Sequence, residues 1–387
     1  MEQLVTSNFR LGIIAGGQLG KMLVLAASNW DVKTFVLDPD PTCPASGVCT
    51  QYLEGSYQDY ETVLNFGRNV DMLTFDIENI NINALIQLKK EGVRVHPEPE
   101  VLMVIQDKGL QKEFYAARNI PTSAFRLFGS KEEILKAIAE GSVHFPFVQK
   151  LRTSGYDGKG VEVIRTEKEL HKLMEGLSLL EDCVNIKKEV AVIAARNISG
   201  ELNTFPMVEM EFNHEANLVE RLICPSSEPQ NIHARAEELA KEIISALGMT
   251  GILAIEYFVD KDGNLLVNEI APRAHNSGHH TIESCITSQY EQQLRAIFGF
   301  PLGSTKIKIP SVMINLLGEK NHSGLVKYEG LTDCMSIEGT KIHIYGKRET
   351  KPFRKMGHAT VLDPSIESAI IKSKRVIELL KVKSWNQ

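Results

Sequence analysis

Residues 252–273 read ILAIEYFVDKDGNLLVNEIAPR, two apolar runs separated by polar turn residues. Alternating β-branched and aromatic residues on either side of Asp262-Gly263 predict a β-hairpin, because this dipeptide suits a two-residue type I′ turn. Such a turn faces Lys261 with Asn264, and counting outward sets Glu256 directly opposite Glu269. Opposed side chains share a sheet face, with Cβ atoms ~4.5–5.5 Å apart. The same counting puts Ala254, Phe258, Val267 and Ala271 on that face, so the two carboxylates would stand among apolar neighbours. Like charges so placed repel, and burial adds desolvation. One carboxyl can keep a proton, or a cation can bridge the pair. Carboxylate oxygens suit Mg2+, which takes its remaining ligands from water and substrate phosphates. An exposed acidic pair on a surface hairpin is the alternative that the residues alone leave open.

Upstream, TSGYDGKG (153–160) separates two predicted strands, PFVQKL and VEVIR. Gly155, Gly158 and Gly160 permit positive φ and close backbone approach, so successive N–H groups can converge on an anion. Lys150 and Lys159 add charge on either side. The loop is not a Walker A motif, since Gly160 follows GK and a strand rather than a helix comes next. It can be read as a phosphate cradle or as a plain glycine-rich turn. Taken with the paired carboxylates, the first reading points to ATP.

Downstream comes APRAHNSGHH (271–280). His275 and His279 are four apart, but Asn276-Ser277-Gly278 between them reads as turn, and no Glu follows the first His. The H-E-x-x-H zinc pattern therefore fails. Arg273 and His275, just past the carboxylate strand, are placed to hold an anionic substrate and an intermediate, or else to brace the strand end. Further on, KRETKPFRK (347–355) concentrates Lys347, Arg348, Lys351, Arg354 and Lys355. Without interleaved aromatics this run does not suit nucleic acid. A pair of its cations closing on one phosphomonoester is the economical reading.

The N-terminal hundred residues alternate strand and helix signals: strands at 10–15, 32–37 and 71–75, and a helix at 20–28. Such spacing predicts a doubly wound parallel sheet. GIIAGGQLGKM lacks the first glycine of the dinucleotide fingerprint, because Ala15 stands there. It is read as a tight strand-to-helix turn that points helix amides at an anion. Helices are expected at 106–118, 131–140, 233–247, 289–298 and 364–381. Strands are expected at 147–151, 161–165, 190–195 and 202–210, with short strands after Pro301.

The chain has 387 residues and a formal charge of −6, with 43% hydrophobic and 24% charged residues. That usage excludes disordered, collagen-like and disulfide-scaffold classes and argues against a general nucleic-acid binder. Six scattered cysteines without C-x-x-C pairs suggest a reduced, cytoplasmic protein. No signal peptide or bilayer-spanning run is read.

GGQLGKM, DKGLQK, GYDGKG, NEIAPRAHNSGHHTIE and YGKRETKPFRKMGH occur in that order. With this order and spacing the chain resembles the N5-carboxyaminoimidazole ribonucleotide synthases, ATP-grasp ligases of purine biosynthesis, from Leu11 to about Val361. The resemblance implies an α/β chain with an ATP-grasp fold. Its parts would be a doubly wound, Rossmann-like pre-ATP-grasp domain (1–100), an ATP-grasp domain (101–300, lid about 122–187) and a small β-rich C-terminal domain (301–387). It implies ATP- and bicarbonate-dependent carboxylation of 5-aminoimidazole ribonucleotide through carboxyphosphate, with Mg2+, in a homodimer without nucleic-acid or membrane partners.

Residue by residue, it gives Lys108, Lys150 and Gly155, Tyr156, Asp157, Gly158, Lys159, Gly160 and Val161 to ATP. Glu181 and Val184 fit the adenine hinge, Glu189 the ribose, and Glu256 and Glu269 the metal, with Asn268 beside them. Arg273 and His275 would hold bicarbonate and carboxyphosphate. Lys347 and Arg354 would hold the ribonucleotide phosphate, with Gln18, Tyr156, Asp157 and Asn276 as further substrate contacts. Glu209-Met210-Glu211-Phe212 departs from the family's E-N-x-H, so a nucleotide-contacting histidine is absent unless His214 reaches back. Lys21 and Lys108 stand where arginine is common, which keeps charge but loses the bidentate fork. Two other readings remain: a formate-using glycinamide ribonucleotide transformylase, and a non-catalytic nucleotide-binding protein.

Overall fold

The computed structural model describes residues 6–153, 160–213 and 218–385. The N-terminal part is a parallel sheet in the order Gln51–Glu54, Lys33–Asp38, Arg10–Ile14, Met72–Phe75, Arg94–Val95. Met72–Phe75 is buried along its whole length, as expected of a parallel strand covered on both faces. The turn after Arg10–Ile14 places Ala15 at φ +68°, so alanine adopts the left-handed conformation where a glycine would be expected. Gly16 N–H then donates to Asp38 (2.7 Å), and Gly20 N–H, in the first turn of helix Gln18–Ser28, donates to Asp76 (2.7 Å). The anion that meets these amides is the chain's own carboxylate.

A four-stranded antiparallel sheet follows, ordered Phe125–Phe128, Ser178–Asp182, Phe147–Leu151, Val161–Ile164. The longest sheet has nine strands among the described residues. It runs Leu265–Ala271, Gly251–Asp260, Ile186–Arg196, Val208–Asn213, Leu218–Cys224, Ser311–Leu317, Lys355–Leu362, Thr340–Ile344, with Leu202–Thr204 paired to Ile186–Arg196. Helix Gln230–Ala246 buries Ala236, Leu239, Ala240, Ile243 and Ile244, spaced three and four apart. They pack on Val190, Val192, Leu253, Ile255 and Tyr257. Strand side chains alternate, so the opposite face of the same strands carries Glu189, Ala191 and Glu256. No helix among the described residues is long and apolar enough to cross a membrane.

Three local expectations change. The helix expected at 106–118 is present but runs Lys108–Ala116, because Asp107 takes an extended conformation and caps Gly109 (2.7 Å) and Leu110 (3.2 Å); a separate helix, Pro99–Gln106, precedes it. The strand expected at 202–210 is two strands, Leu202–Thr204 and Val208–Asn213, with Pro206, which lacks an N–H, between them. The hairpin loop is longer than expected. Asp260 N–H donates to Asn264 across Lys261-Asp262-Gly263, with Gly263 at φ +84°, the three-residue loop that ends in a left-handed residue. That loop moves the facing pairs by one residue: Tyr257 faces Val267 and Val259 faces Leu265. A bulge at Asn268 then moves them back, and Glu256 does face Glu269. Val267 lies with Tyr257 in the core beneath helix Gln230–Ala246, so Leu266, not Val267, shares the carboxylates' face.

Candidate active site

Three neighbouring strands bring Glu189, Glu256 and Glu269 to one face of the long sheet. The Glu256 side chain is 16% exposed and that of Glu269 47%. Burial, then repulsion from Glu269 and Glu189, pushes the Glu256 carboxyl far above the usual carboxylate range. Burial likewise raises Glu189 to about 7, although Lys150 opposes the rise. The bulge turns two consecutive side chains, Asn268 and Glu269, toward the same lysines. Lys150 Nζ donates to Asn268 Oδ1 (3.0 Å), and Lys108 Nζ lies 3.8 Å from Glu269.

Lys150 comes from the four-stranded sheet and Lys108 from the first turn of its helix. Glu181, on the strand beside Lys150, takes Lys150 on Oε2 (2.6 Å) and Lys112 on Oε1 (2.5 Å). Burial would raise Glu181, but Lys150 and Lys112 outweigh it and hold the carboxyl at about 2. Burial would lower Lys150, but Glu181 and then Glu269 keep its pKa above the ordinary lysine value. Both Glu181 oxygens are thereby engaged within the protein. Val184 lies three residues on, its carbonyl accepting from Ile186 N–H (3.0 Å). Gly160, at φ +74°, precedes strand Val161–Ile164, whose Val161 pairs with Lys150. Gly155, Tyr156, Asp157, Gly158 and Lys159 lie outside the described residues, as does His214.

Beyond the carboxylates, Ser277 N–H donates to His275 Nδ1 (3.3 Å), so Nε2 carries the hydrogen and faces Glu256 at 3.6 Å. Arg273 Nε lies 2.8 Å from Glu78 in an ion pair, and its Nη1 donates to the Ala274 carbonyl (3.0 Å). Burial raises the adjacent Asp76 carboxyl to about 7, against the pull of Gly20 N–H and Arg273. Asn276 Oδ1 is buried without a hydrogen-bond partner among the described residues, an acceptor poised for a ligand donor. His279 has different partners from His275. It is buried, accepts from Gln289 (3.1 Å) and Tyr290 (3.2 Å), and stacks on His358. Among the described residues no group of three or more His, Cys, Asp or Glu is placed to hold a metal ion.

A cavity of about 650 Å³ opens next to the N-terminal sheet and is lined by Gln18, Asp38, Asp40, Lys347, Arg348 and Arg354. Lys347 Nζ donates to the carbonyl of Lys355 (2.8 Å) and Arg354 to that of Glu349 (2.6 Å). Lys21 reaches the carbonyls of Ile344 and Tyr345, spending its charge on the fold. Sequence reasoning missed Glu78, Lys112 and Asp76. Only Lys112 left a trace, standing one helical turn from Lys108. Lys355 belongs in sequence to the basic run 347–355, but its charge acts on Glu256, joining it to the carboxylate end.

A four-stranded sheet bearing a lysine, closed on a longer sheet bearing paired carboxylates, is the architecture of an ATP-grasp protein. The comparisons agree. Residues 113–290 match the ATP-grasp domain, residues 9–106 the ribonucleotide synthetase preATP-grasp domain and residues 311–372 the phosphoribosylaminoimidazole carboxylase C-terminal domain. The chain is 36% identical over 365 residues to the N5-carboxyaminoimidazole ribonucleotide synthase of Bacillus subtilis, covering 93% of each. It spans 65% of a longer relative, the chloroplastic phosphoribosylaminoimidazole carboxylase of Vigna aconitifolia, at 36% identity over 371 residues and 92% of this chain. It is similar to the crystal structure of the Thermotoga maritima synthetase, with TM-score 0.89, 42% identity, and 97% of this chain and 99% of that one covered. It is also similar to the Aspergillus clavatus synthase in complex with ADP and 5-aminoimidazole ribonucleotide, with TM-score 0.88, 28% identity and the same coverage. The chain belongs to the N5-carboxyaminoimidazole ribonucleotide synthase family.

Proposed function

We propose that this chain is an ATP-dependent carbon–nitrogen ligase of purine biosynthesis. It carboxylates 5-aminoimidazole ribonucleotide with bicarbonate to N5-carboxyaminoimidazole ribonucleotide, releasing ADP and phosphate. The observation that carries this reading is one continuous arrangement: Lys150 and the paired carboxylates, then Arg273 and His275, then the cationic cavity around Lys347 and Arg354. Family membership favours this acceptor over formate-dependent transformylation and over a non-catalytic role.

In this reading Lys108, Lys150 and residues 155–161 hold the triphosphate, the backbone at Glu181 and Val184 meets adenine, and Glu189 meets the ribose. Two mutually repelling carboxylates of unequal burial are a donor set that fits Mg2+, with Glu256 and Glu269 as the ligands and Asn268 beside them. When bound, the ion would offset charge on the γ-phosphoryl group. Arg273 holds bicarbonate while its oxygen attacks the γ-phosphorus and ADP leaves. The resulting carboxyphosphate is kept from water by the glycine loop and held by Arg273 and His275. The substrate amine then forms the N–C bond, losing a proton as phosphate departs. Lys347 and Arg354 fix the ribonucleotide phosphate, and Gln18, Tyr156, Asp157 and Asn276 orient the rest. Catalysis here is positioning and electrostatics more than proton transfer.

The reading extends to three domains at 1–100, 101–300 (lid about 122–187) and 301–387, to a cytoplasmic location and to a homodimer. Its test is phosphate release with ATP, bicarbonate or aminoimidazole ribonucleotide omitted in turn. Turnover should require ATP and be stimulated by the ribonucleotide. Phosphate release that needs formate and ignores the ribonucleotide would overturn it.

A further inference from the structure

Lys112 sits one turn beyond Lys108 on helix Lys108–Ala116, with a side chain only 2% exposed, too deep to touch a ligand. Thr122 Oγ1 sends its hydrogen to the Val267 carbonyl (2.7 Å), and Ser123 Oγ sends its own to Glu181 Oε1 (2.5 Å). Both hydroxyl oxygens must therefore accept from Lys112, as Glu181 Oε1 also does. Three acceptors require three hydrogens, which only the ammonium form supplies. The other Glu181 oxygen belongs to Lys150, so one buried carboxylate stands between two ammonium groups with a net charge of one positive unit.

We propose that Lys112 is a positioning residue whose charge cancels that of Glu181, so that Lys150 delivers an undiminished positive charge to the phosphates of a bound nucleotide. Without the Lys112 charge, Glu181 and Lys150 would form a neutral couple. Lys150 would keep its place but lose its field, and in a poorly hydrated site that field is strong. A second lysine that never meets the ligand thereby sets how tightly the first one holds phosphate. This inference rests on the nucleotide reading above.

The test compares ADP with adenosine, which lacks phosphate, by calorimetry on the full chain. Lys112→Met keeps side-chain length and removes charge. It should weaken ADP by at least about tenfold while leaving adenosine affinity as in the wild type. Lys112→Met combined with Glu181→Gln restores one net positive unit and should bring ADP back to within about threefold of wild type. Equal losses for ADP and adenosine, or a double variant no better than the single one, would reduce Lys112 to a brace and overturn the proposal. If the single variant does not fold, the double variant, in which Lys150 keeps its charge and the Gln amide oxygen can still accept from it, decides the matter against wild type. ADP binding tenfold weaker than wild type with adenosine unchanged overturns the proposal there too. Absence of ADP binding by the wild type would instead sink the nucleotide reading itself.

Discussion

Around Lys150 the charges are buried, paired and closed on one another, whereas around Lys347 and Arg354 they line an open cavity of about 650 Å³. Both regions are read here as phosphate sites. The first is preorganised: every group on Glu181 is fixed before a ligand arrives, and the low-dielectric surroundings make each charge count. The second is open, with its cations tethered through backbone carbonyls, so its pull on a phosphate is softer and subject to screening by salt. The difference matches the two tasks. Transferring a phosphoryl group calls for a rigid field, while the ribonucleotide phosphate only has to be anchored.

The sharpest break in this comparison is Glu269→Gln. It removes charge from the carboxylate pair, and phosphate release should fall at least a hundredfold with the fold intact by circular dichroism. Near-normal turnover would remove the metal assignment. Next is Glu181→Ala, which leaves Lys112 and Lys150 facing each other without their shared carboxylate. Breaking a buried pair in this way costs about 3–5 kcal/mol, to be read from denaturant unfolding. A loss below about 1 kcal/mol would put this network on a par with the exposed one.

Between the two regions runs a seam of stacked rings, His279 on His358 (4.7 Å between centroids) and His358 on His343 (4.4 Å), with His280 close by in sequence. Burial, reinforced by neighbouring histidines and lysine, pushes His279 and His358 well below the ordinary histidine value, and burial takes His280 to about 4. These rings are neutral in the native state, whereas the unfolded chain takes up protons below about pH 6.5. Stability is therefore complete above that pH and lost as pH falls toward the folded values. At pH 5 the His280 contribution alone amounts to ~2 kcal/mol. A melting temperature unchanged between pH 7 and pH 5 would contradict the neutral seam. The smallest effect belongs to the open cavity: Arg354→Ala should raise KM for the ribonucleotide about tenfold, less in high salt, with kcat nearly unchanged. An effect on ATP instead would exchange the two sites.

How much of this was legible in the sequence depended on distance along the chain. The carboxylate pair came from counting across one hairpin, and it came out right through two shifts that cancel. A loop one residue longer than expected is offset by the bulge at Asn268. The bulge follows from how the strand meets its partner, which no local pattern records. The helix start at Lys108, two residues later than expected, did have a local signal in the capping residue Asp107, which periodicity alone overrode. Glu78 on Arg273, Lys112 on Glu181 and His358 on His279 are meetings of distant segments. Their residues look like ordinary surface charges or turn histidines until the fold joins them.

The claim at the centre of this account is that bicarbonate is activated by phosphorylation. Oxygen-18 bicarbonate, supplied with ATP and 5-aminoimidazole ribonucleotide and quenched before exchange with water, tests it directly. If carboxyphosphate forms, the bicarbonate oxygen that attacks phosphorus stays with it, and each phosphate released carries one heavy oxygen. Phosphate released without label while the ribonucleotide is carboxylated would contradict the account.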